Sequence, residues 1–421
     1  MKRIVFATFG SLGDLHPFVA VARELAQRGH RPLIATFDEY RENVEAAGIG
    51  FAPLRPSMAG FGDKAELMKQ LIDPWRGPKL MIRGMFLPHL RETYEDLARA
   101  CRDADLLVTH PLTLAGPLLA EKEGLRWASS ALSPMTMFSA FDPSLFPAAA
   151  WMLRVRKLGV APYRWIFSIP RAMVRRWEEP LREFRADLGL PPSDAIAEFE
   201  GQFSPRLHIA LFSGVLAAPQ PDWPAGTVVC GFPRYDGAQP DARLRAELEN
   251  FLAAGEPPIV FGLGSSAVMV AGEFWRAAIT ATGKLGRRAI LLTGKPPQEL
   301  GAVPPSVKAF EYLPYSAVFP RACAIVHSGG IGTLAQALAA GRPQVIAPVA
   351  FDQPDNARRT VALGVARSVP FRNADAAAMT RELDALLRAP EHAARAREIG
   401  ERITRENGAR AAADALEKSA R

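Results

Sequence analysis

The sequence predicts an α/β protein built from two doubly wound halves, each with a parallel β-sheet. Three observations support this prediction. The chain has 421 residues, which at about 100–200 residues per domain corresponds to two or three domains. Nearly apolar runs of strand length alternate with amphipathic stretches of helix length, which is the pattern of β-α-β units. A polar segment rich in turn residues, 234–240, separates two such series.

The first half begins with a β-α-β unit. An almost wholly apolar strand is predicted at Arg3–Phe9, a helix at about Pro17–Gln27 and a second strand at Pro32–Thr36. Strands covered on both faces lose the alternation of apolar and polar residues, so the unit predicts a parallel sheet. Further strands are predicted at 105–109 and 126–130, and the stretch 228–233 ends another strand.

A second series of strands begins after the turn-rich segment. Strands are predicted at 258–261, 289–293, 324–327 and 344–348, followed by a long helix over about 375–420. We therefore place an N-terminal domain at 1–235 and a C-terminal domain at 236–400, with a crevice between them. The end of the last helix, 401–421, is expected to pack back on the first domain.

Residues 131–180 depart from this pattern and predict an insertion of amphipathic helices. The segment holds eight aromatic residues, and 151–177 carries seven Arg or Lys and no acidic residue. Two interpretations are open. The segment is either a solvated basic face over an aromatic core, or a hydrophobic acceptor pocket whose rim lies on an anionic membrane leaflet.

Composition and charge exclude several classes of protein. Apolar residues make up 48% and charged residues 23% of the chain, the balance of an ordinary globular protein. The net charge of +7 is too weak over this length to indicate nucleic-acid binding. The three cysteines form no CxxC pair, which disfavours a zinc site and a disulfide framework. The first strand ends in a glycine loop and not in a cleavage site, and no apolar run is long enough to span a membrane, so we expect a cytoplasmic protein.

The loop after the first strand is a candidate site because ligands bind at the carboxyl ends of parallel strands. It contains Gly10, Gly13, Asp14 and His16. It is not a dinucleotide fingerprint, since His16 stands where the third glycine belongs. Asp14 is therefore either a helix N-cap or a functional carboxylate.

The second half offers three further strand-end loops. Backbone N–H groups at a glycine-rich helix start form a diphosphate site, and carboxylate and amide groups suit sugar hydroxyls. The candidate donor-site residues in these loops are Ser265, Ser266, His327, Gly329, Gly330, Gly332, Thr333, Asp352 and Gln353.

With these motifs the chain resembles the inverting glycosyltransferases of the GT-B fold, which consists of two Rossmann-like domains that face a central cleft. The part from Tyr312 to Asn356 matches the donor signature of the family, and the resemblance is closest to bacterial rhamnolipid-type rhamnosyltransferases. It implies that the diphosphate is held by His327, the glycines, Thr333 and Ser265. It also implies that Asp352 and Gln353 contact the transferred sugar and that Tyr312 stacks on the nucleobase.

The same resemblance implies the catalytic groups. Asp14 occupies the column of the general base that deprotonates the acceptor hydroxyl. His110 stands where plant members keep an Asp that orients a His base, so it is either the partner of Asp14, the base itself or a strand-end histidine bonded to backbone. Inversion without a metal ion or other cofactor is expected. Asp103 and Asp105 imitate a metal-binding DxD motif but are interpreted as a solvated turn.

Departures from the family leave the substrates open. Ala335 replaces the Glu that binds both ribose hydroxyls in plant members, and Tyr315 replaces a Gln or His that contacts the nucleoside. These changes favour a dTDP-sugar such as dTDP-rhamnose, and UDP- or dTDP-glucose stays open. His16, Phe138, Phe141 and Trp151 are the candidate acceptor residues, suited to a flavonoid, sterol, carotenoid or lipid. The alternatives are a nucleotide-sugar epimerase and a non-catalytic partner of a glycosyltransferase.

Overall fold

The computed structural model describes residues 1–237 and 239–420. The chain divides into two compact units. The first consists of Met1–Tyr235 together with the segment that begins at Asn407, and the second is Asp236–Glu406. Each unit is built on one parallel sheet, which confirms the α/β prediction.

The sheet of the first unit has the strand order β3-β2-β1-β4-β5-β6-β7. Every pairing in it is parallel, and β1 lies between β2 and β4 with Ile4 opposite Pro32 and Leu106. Its strands are β1 (Arg3–Ala7), β2 (Arg31–Thr36), β3 (Gly50–Pro53), β4 (Leu106–Thr109), β5 (Trp127–Ala131), β6 (His208–Ala210) and β7 (Thr227–Val229). Its helices up to residue 235 are α1 (Leu12–Gln27), α2 (Arg41–Ala46), α3 (Lys64–Leu71), α4 (Gly77–Lys79), α5 (Leu90–Ala100), α6 (Ala115–Glu123), α7 (Met152–Arg156), α8 (Val160–Arg175) and α9 (Glu179–Asp187), with a π-helix at Leu80–Phe86.

The sheet of the second unit has the order β10-β9-β8-β11-β12-β13, again with parallel pairings throughout. Its strands are β8 (Ile259–Gly262), β9 (Ala289–Leu292), β10 (Val307–Phe310), β11 (Ala324–His327), β12 (Gln344–Ile346) and β13 (Ala366–Ser368). Its helices are α10 (Ala242–Ala253), α11 (Phe274–Lys284), α12 (Tyr315–Val318), α13 (Ile331–Ala339), α14 (Gln353–Ala362), α15 (Ala376–Arg388) and α16 (Pro390–Arg405).

The prediction of one long C-terminal helix is wrong. The chain breaks at Ala389, which is extended because it precedes Pro390. It breaks again at Asn407, whose side chain accepts a hydrogen bond from the N–H of Arg410 and caps a last helix, α17 (Gly408–Ser419). Helix α17 packs on α1 of the first unit, where Arg28 pairs with Asp414 at 2.6 Å.

Four strands, β3, β6, β10 and β13, are not predicted from the sequence. Each has only three or four residues. The predicted insertion does contain helices, α7 and α8, and four of its eight aromatic side chains form a core together with Phe199. Phe138, Phe146, Tyr163, Phe167 and Phe199 pack together there.

Candidate active site

The loop after β1 holds the carboxylate of Asp14 at the start of α1. Gly10 has φ +124°, and a Cβ at this position would lie 2.3 Å from Oδ2 of Asp14, so only glycine fits. The N–H of Ser11 donates to Oδ2 of Asp14 at 2.7 Å, and the Ser11 side chain accepts from the N–H of Gly13. This is a capping box in which Ser11 is the N-cap. The alternative that Asp14 is itself the N-cap is therefore wrong.

His110 lies beside Asp14, at the end of β4. Its Nε2 is 3.5 Å from Oδ1 of Asp14, longer than a typical hydrogen bond. The backbone N–H of Leu112 donates to Nδ1 at 3.3 Å, so the neutral ring carries its proton on Nε2, facing the carboxylate. His110 is buried and Asp14 is half-buried. The carboxylate thus has Ser11 on one oxygen and the imidazole N–H near the other.

Tyr40 supports the same loop and is not recognisable as a site residue from the sequence. Its hydroxyl donates to the carbonyl oxygen of Gly10 at 3.1 Å. Burial, and then the neighbouring charges of Asp14 and Glu39, raise the pKa of Tyr40. The hydroxyl therefore stays protonated and keeps the Gly10 turn in place.

The four predicted acceptor residues have different surroundings. His16 lies on the first turns of α1 and meets the ring of Tyr235 edge-on at 5.2 Å. Phe138 packs in the aromatic core of the insertion, 4.6 Å from Phe199, so it is a packing residue. Phe141 lies under the guanidinium of Arg164, and Trp151 is exposed at the surface.

The first unit also contains a pocket of about 380 Å³ that the sequence does not reveal. It lies beside β4 and α6, and its lining includes His110, Leu118, Trp127 and Gln202. None of Phe138, Phe141 and Trp151 lines it. His110 lines this pocket and also lies beside Asp14, which is not itself part of the lining.

His327, at the end of β11, has a different role from the predicted one. It is completely buried, its Nε2 donates to Oε1 of Gln344 at 2.9 Å, and its Nδ1 accepts from the N–H of Gly329 at 3.0 Å. Burial lowers the pKa of His327 to about 4, so the ring is neutral. Both ring nitrogens are engaged within the protein, which corrects the expectation of a side-chain donor to diphosphate. The ring shapes the turn instead.

The turn that follows presents the start of α13. Gly329 has φ +89°, and a Cβ there would lie 2.9 Å from Ile346. Gly330 is the N-cap and has no side-chain capping bond, and the first turn has no acidic residue. The N–H groups of Ile331, Gly332 and Thr333 have no acceptor within the helix because of their position. A Cβ at Gly330 would meet no atom within 4 Å, so there is room for an anion.

A second loop, 262–266 after β8, lies against the first. The hydroxyl of Ser328 donates to the carbonyl of Leu263 at 2.6 Å, and a Cβ at Gly264 would lie 3.1 Å from Oγ1 of Thr333. Tyr315 stacks on Phe319 at 4.4 Å, and its hydroxyl contacts Thr333 and the backbone of Gly264. Tyr315 therefore supports the loop. The predicted residues Ser265 and Ser266 lie on this loop, exposed and half-buried respectively.

The third loop carries Asp352 and Gln353 at the start of α14. Phe351 has φ +58°, an uncommon backbone conformation for a bulky residue. Asn356 donates to Oδ2 of Asp352 at 2.8 Å and to the carbonyl of Gly329 at 2.9 Å. It thus connects this loop to the turn before α13, a role that is not predicted from the sequence. Gln353 is buried, and its Oε1 accepts from the N–H of Val349. Its oxygen is thus used within the loop, and Asp352 is the more open of the pair.

Tyr312, the predicted nucleobase platform, is 51% exposed. It lies between β10 and α12, and its hydroxyl donates to the backbone carbonyl of Asp236. The ring is therefore accessible and anchored at its polar end.

Asp105 of the DxD-like turn has a structural role, whereas Asp103 is exposed. Asp105 accepts from the N–H of Arg3 at 2.8 Å and pairs with Lys2 at 2.9 Å, ahead of β4. Over residues 1–237 and 239–420, no group of three or more His, Cys, Asp or Glu side chains could hold a metal ion. Independence from metal remains a prediction.

Comparisons with known proteins match both units. Residues 4–124 match the glycosyltransferase family 28 N-terminal domain, and residues 280–417 match the C-terminal domain described as erythromycin biosynthesis protein CIII-like. The chain is 33% identical over 416 residues to O-mycaminosyltylonolide 6-deoxyallosyltransferase of Streptomyces fradiae, covering 96% of this chain and 94% of that protein. It is 27% identical over 432 residues to a sterol 3-beta-glucosyltransferase of Leptosphaeria maculans, covering 97% of this chain and 28% of that longer protein.

Solved structures show the same fold. The glycotransferase of kitacinnamycin superposes with a TM-score of 0.71 at 22% identity, over 100% of this chain and 99% of that one. The spinosyn rhamnosyltransferase SpnG, complexed with thymidine diphosphate, gives a TM-score of 0.66 at 21% identity, over 99% and 100%. Two parallel-sheet units with this likeness define a GT-B protein. The chain belongs to the GT-B glycosyltransferases with a family 28 N-terminal domain and an erythromycin CIII-like C-terminal domain, and it is an enzyme of that class.

The residues that the structure describes include no helix that is both long enough and apolar enough to cross a bilayer.

Proposed function

We propose that this glycosyltransferase moves a sugar from a dTDP- or UDP-sugar to a hydroxyl of a small lipophilic or aromatic acceptor, without a metal ion and with inversion. The uncapped start of α13 is the observation that carries the proposal. Its free N–H groups, the open space at Gly330 and the hydroxyl of Thr333 together suit a diphosphate. No acidic side chain on the first turn opposes that charge.

The relatives favour a dTDP-linked deoxysugar as donor. The Streptomyces fradiae relative is named a 6-deoxyallosyltransferase, and the spinosyn rhamnosyltransferase was solved with thymidine diphosphate. In the second unit, Tyr312 offers an exposed ring for the base and Asp352 offers a carboxylate for sugar hydroxyls. Rhamnose and glucose are both compatible with these groups.

Asp14 is the proposed general base. Oδ2 is held by Ser11, and the imidazole of His110 presents its N–H near Oδ1, so a carboxylate with a fixed orientation faces the acceptor. The acceptor O–H gives its proton to this carboxylate while its oxygen bonds to the anomeric carbon. The bond from that carbon to the diphosphate breaks on the opposite face, which inverts the configuration. His110 is then a positioning residue and not the base.

The leaving diphosphate is stabilised by the backbone in this proposal. The N–H groups of the first turn of α13 and the hydroxyl of Thr333 oppose the charge that develops as the bond breaks. His327 contributes indirectly, because its neutral ring fixes the N–H of Gly329 and thereby the turn.

The acceptor is proposed to be lipophilic and to carry a hydroxyl. The named relatives act on O-mycaminosyltylonolide and on sterols. The pocket next to His110 is lined partly by Leu118 and Trp127, which suits an apolar ring system. Flavonoids, sterols, carotenoids and hydroxylated lipids are the classes to assay.

The substitution Asp14→Asn tests the base. The amide oxygen still accepts from the N–H of Ser11, but the side chain no longer takes a proton. Turnover of dTDP-rhamnose or dTDP-glucose with the acceptor panel should fall ~10²–10⁴-fold, while the dissociation constant of dTDP stays unchanged by titration calorimetry. Asp38→Asn, at an exposed acid of the same unit that pairs with Arg41, is the matched control.

Three outcomes would change the proposal. Near-complete turnover by Asp14→Asn would exclude Asp14 as the base. Conversion of donor without any acceptor would indicate an epimerase. Binding of dTDP with no transfer to any acceptor would indicate a non-catalytic partner protein.

We further propose that the enzyme is cytoplasmic and rests reversibly on the inner face of the membrane through residues 151–177. Helix α8 exposes Trp165, Ile169 and Met173 at intervals of four residues, which places them in one stripe. Of the cations in this segment, Arg154, Lys157 and Arg176 are exposed and have no acidic partner within the described residues. An apolar stripe bordered by free cations suits an anionic bilayer surface.

A further inference from the structure

Asp236, the first residue of the second unit, is held by three groups of that unit. Nε2 of Gln336 donates to Oδ1 at 2.6 Å, and the N–H of Ser316 donates to Oδ2 at 3.1 Å. The hydroxyl of Tyr312 donates to the Asp236 carbonyl. The backbone carbonyl and the carboxylate of Asp236 are therefore both held by residues of the second unit.

The position of this carboxylate is informative. Gln336 lies one turn after Thr333 on α13, so its amide reaches Asp236 from the helix whose start suits a diphosphate. Tyr312 and Ser316 also hold Asp236, and the exposed ring of Tyr312 suits a base. A nucleoside diphosphate that uses both of these groups has its pentose between them, next to Asp236.

We propose that Asp236 accepts hydrogen bonds from the pentose hydroxyls of the donor nucleotide. This inference rests on the proposed function. A carboxylate has about four acceptor sites, and the protein uses one on each oxygen, so further sites are free for hydroxyl groups. Ala335, on α13, offers no such acceptor, and Asp236 supplies it from a segment distant in sequence.

The inference changes the expected nucleotide specificity. The lack of a carboxylate at Ala335 favours a deoxyribose donor when the sequence alone is considered. With Asp236 in place, the 3′-hydroxyl present in both dTDP and UDP has a charged acceptor, and a 2′-hydroxyl is not penalised. The enzyme should therefore bind dTDP and UDP with affinities set mainly by the base.

Titration calorimetry with two ligands and two proteins tests this role. Wild type and Asp236→Ala are titrated with dTDP and with its 3′-deoxy analogue. In wild type, removal of the 3′-hydroxyl should weaken binding roughly 10- to 100-fold, because a hydrogen bond to a charged acceptor is lost. In Asp236→Ala, dTDP should bind more weakly by a similar factor, and removal of the hydroxyl should have no further effect.

Asp241→Asn is the matched control. Asp241 lies in the same segment and caps α10 through the N–H of Leu244 at 2.7 Å, and Asn caps equally well. Removal of the 3′-hydroxyl should weaken binding to Asp241→Asn by the same factor as in wild type.

The outcomes separate this inference from the proposed function. If wild type binds no nucleoside diphosphate, the proposed function fails. If wild type binds dTDP and the 3′-hydroxyl contributes equally with and without Asp236, only the assignment of Asp236 is overturned. Tighter binding by Asp236→Ala would also overturn it, because the linker carboxylate would then be competing with the nucleotide.

Discussion

At the scale of single residues, one carboxylate serves both the fold and the proposed chemistry. Asp14 completes the capping box with Ser11, and the same bond fixes the oxygen that would otherwise rotate. The Ser-x-x-Asp spacing is visible in the sequence and is a known sign of a helix start. Its second role depends on His110, which lies 96 positions later in the chain and joins Asp14 only because β1 and β4 pair.

A second carboxyl group, that of Glu198, is notable at this scale because it has no cationic partner among residues 1–237 and 239–420. Both carboxyl oxygens of Glu198 are buried, and neither accepts a hydrogen bond from an N–H group of the described residues. They lie beside the carboxyl of Glu178, which is also buried. Two carboxyl groups in contact form a hydrogen bond only when one carries a proton. Burial, and then the proximity of Glu178, raise the pKa of Glu198 well above its usual range.

This pair predicts that stability falls as pH rises. Glu198 is protonated in the folded state and ionised in the unfolded state above about pH 4.3, so folding takes up a proton and each pH unit costs at most about 1.4 kcal/mol. The loss of stability begins as the pH rises through the pKa of Glu198 in the unfolded chain, and it ends at the raised pKa of Glu198 in the folded protein. Glu198→Gln should show a smaller loss of stability between pH 6 and pH 8, by at most about 2.7 kcal/mol.

Thermal unfolding followed by tryptophan fluorescence measures this effect, since six of the seven tryptophans precede residue 236. The control is Glu183→Gln, at an exposed acid on α9, which should keep the wild-type pH dependence. Equal pH dependence in wild type and Glu198→Gln would show that Glu198 is ionised in the folded protein.

At the scale of elements, helix α8 shows how structure modifies a charge pattern. The acid-free composition of 151–177 suggests a strongly cationic face. In the structure Arg171 pairs with Glu200 and Arg175 pairs with Asp194, both from a later segment of the chain. The remaining free cations and the apolar stripe of α8 carry the membrane proposal.

Replacing Arg154, Lys157 and Arg176 with Gln should weaken binding to anionic vesicles. At about 1 kcal/mol per cation near the surface, the loss is on the order of 100-fold. Co-sedimentation with phosphatidylcholine vesicles, with and without phosphatidylglycerol, measures it, and high salt should release the wild type. Trp165→Ser should also weaken binding, whereas Trp75→Ser, at an exposed tryptophan outside the segment, should not. Equal binding to neutral and anionic vesicles would refute the proposal.

At the scale of the whole molecule, the proposed function uses residues of both units. The first holds Asp14 and His110, and the second holds the start of α13 with Tyr312 and Asp352. In the proposed function, the group that activates the acceptor and the groups that bind the donor therefore belong to different sheets. We therefore expect the second unit to bind the nucleotide, and this binding can be measured without an acceptor.

A nucleotide should stabilise the protein by mass action. At 100 times its dissociation constant, dTDP should add ~2.7 kcal/mol, seen as a raised unfolding temperature by scanning calorimetry. Thr333→Val removes one hydroxyl donor, and a tenfold loss of affinity would reduce the gain at the same concentration to about 1.4 kcal/mol. Thr280→Val, at an exposed threonine of the same unit, should leave the gain unchanged. No gain with dTDP or UDP would contradict nucleotide binding.

The sequence by itself determined the fold class and most of the strands. Buried parallel strands such as β1, β4 and β11 are continuous apolar runs, and each ends in a loop that contains glycine or polar side chains. The motif residues around Asp14 and Thr333 could be found for the same reason, because local spacing fixes their position at the start of a helix. The family resemblance, which the comparisons confirm, depends on those same local motifs.

Only the tertiary structure decided which side chains face each other and which are already engaged. His327 is a donor candidate in the sequence, but Gln344 and Gly329 occupy both of its ring nitrogens. Phe138 belongs to the aromatic core, and Asp236 reaches Gln336 across 100 positions. These contacts depend on how strands pair and helices pack, which is a long-range property that composition and local spacing do not encode.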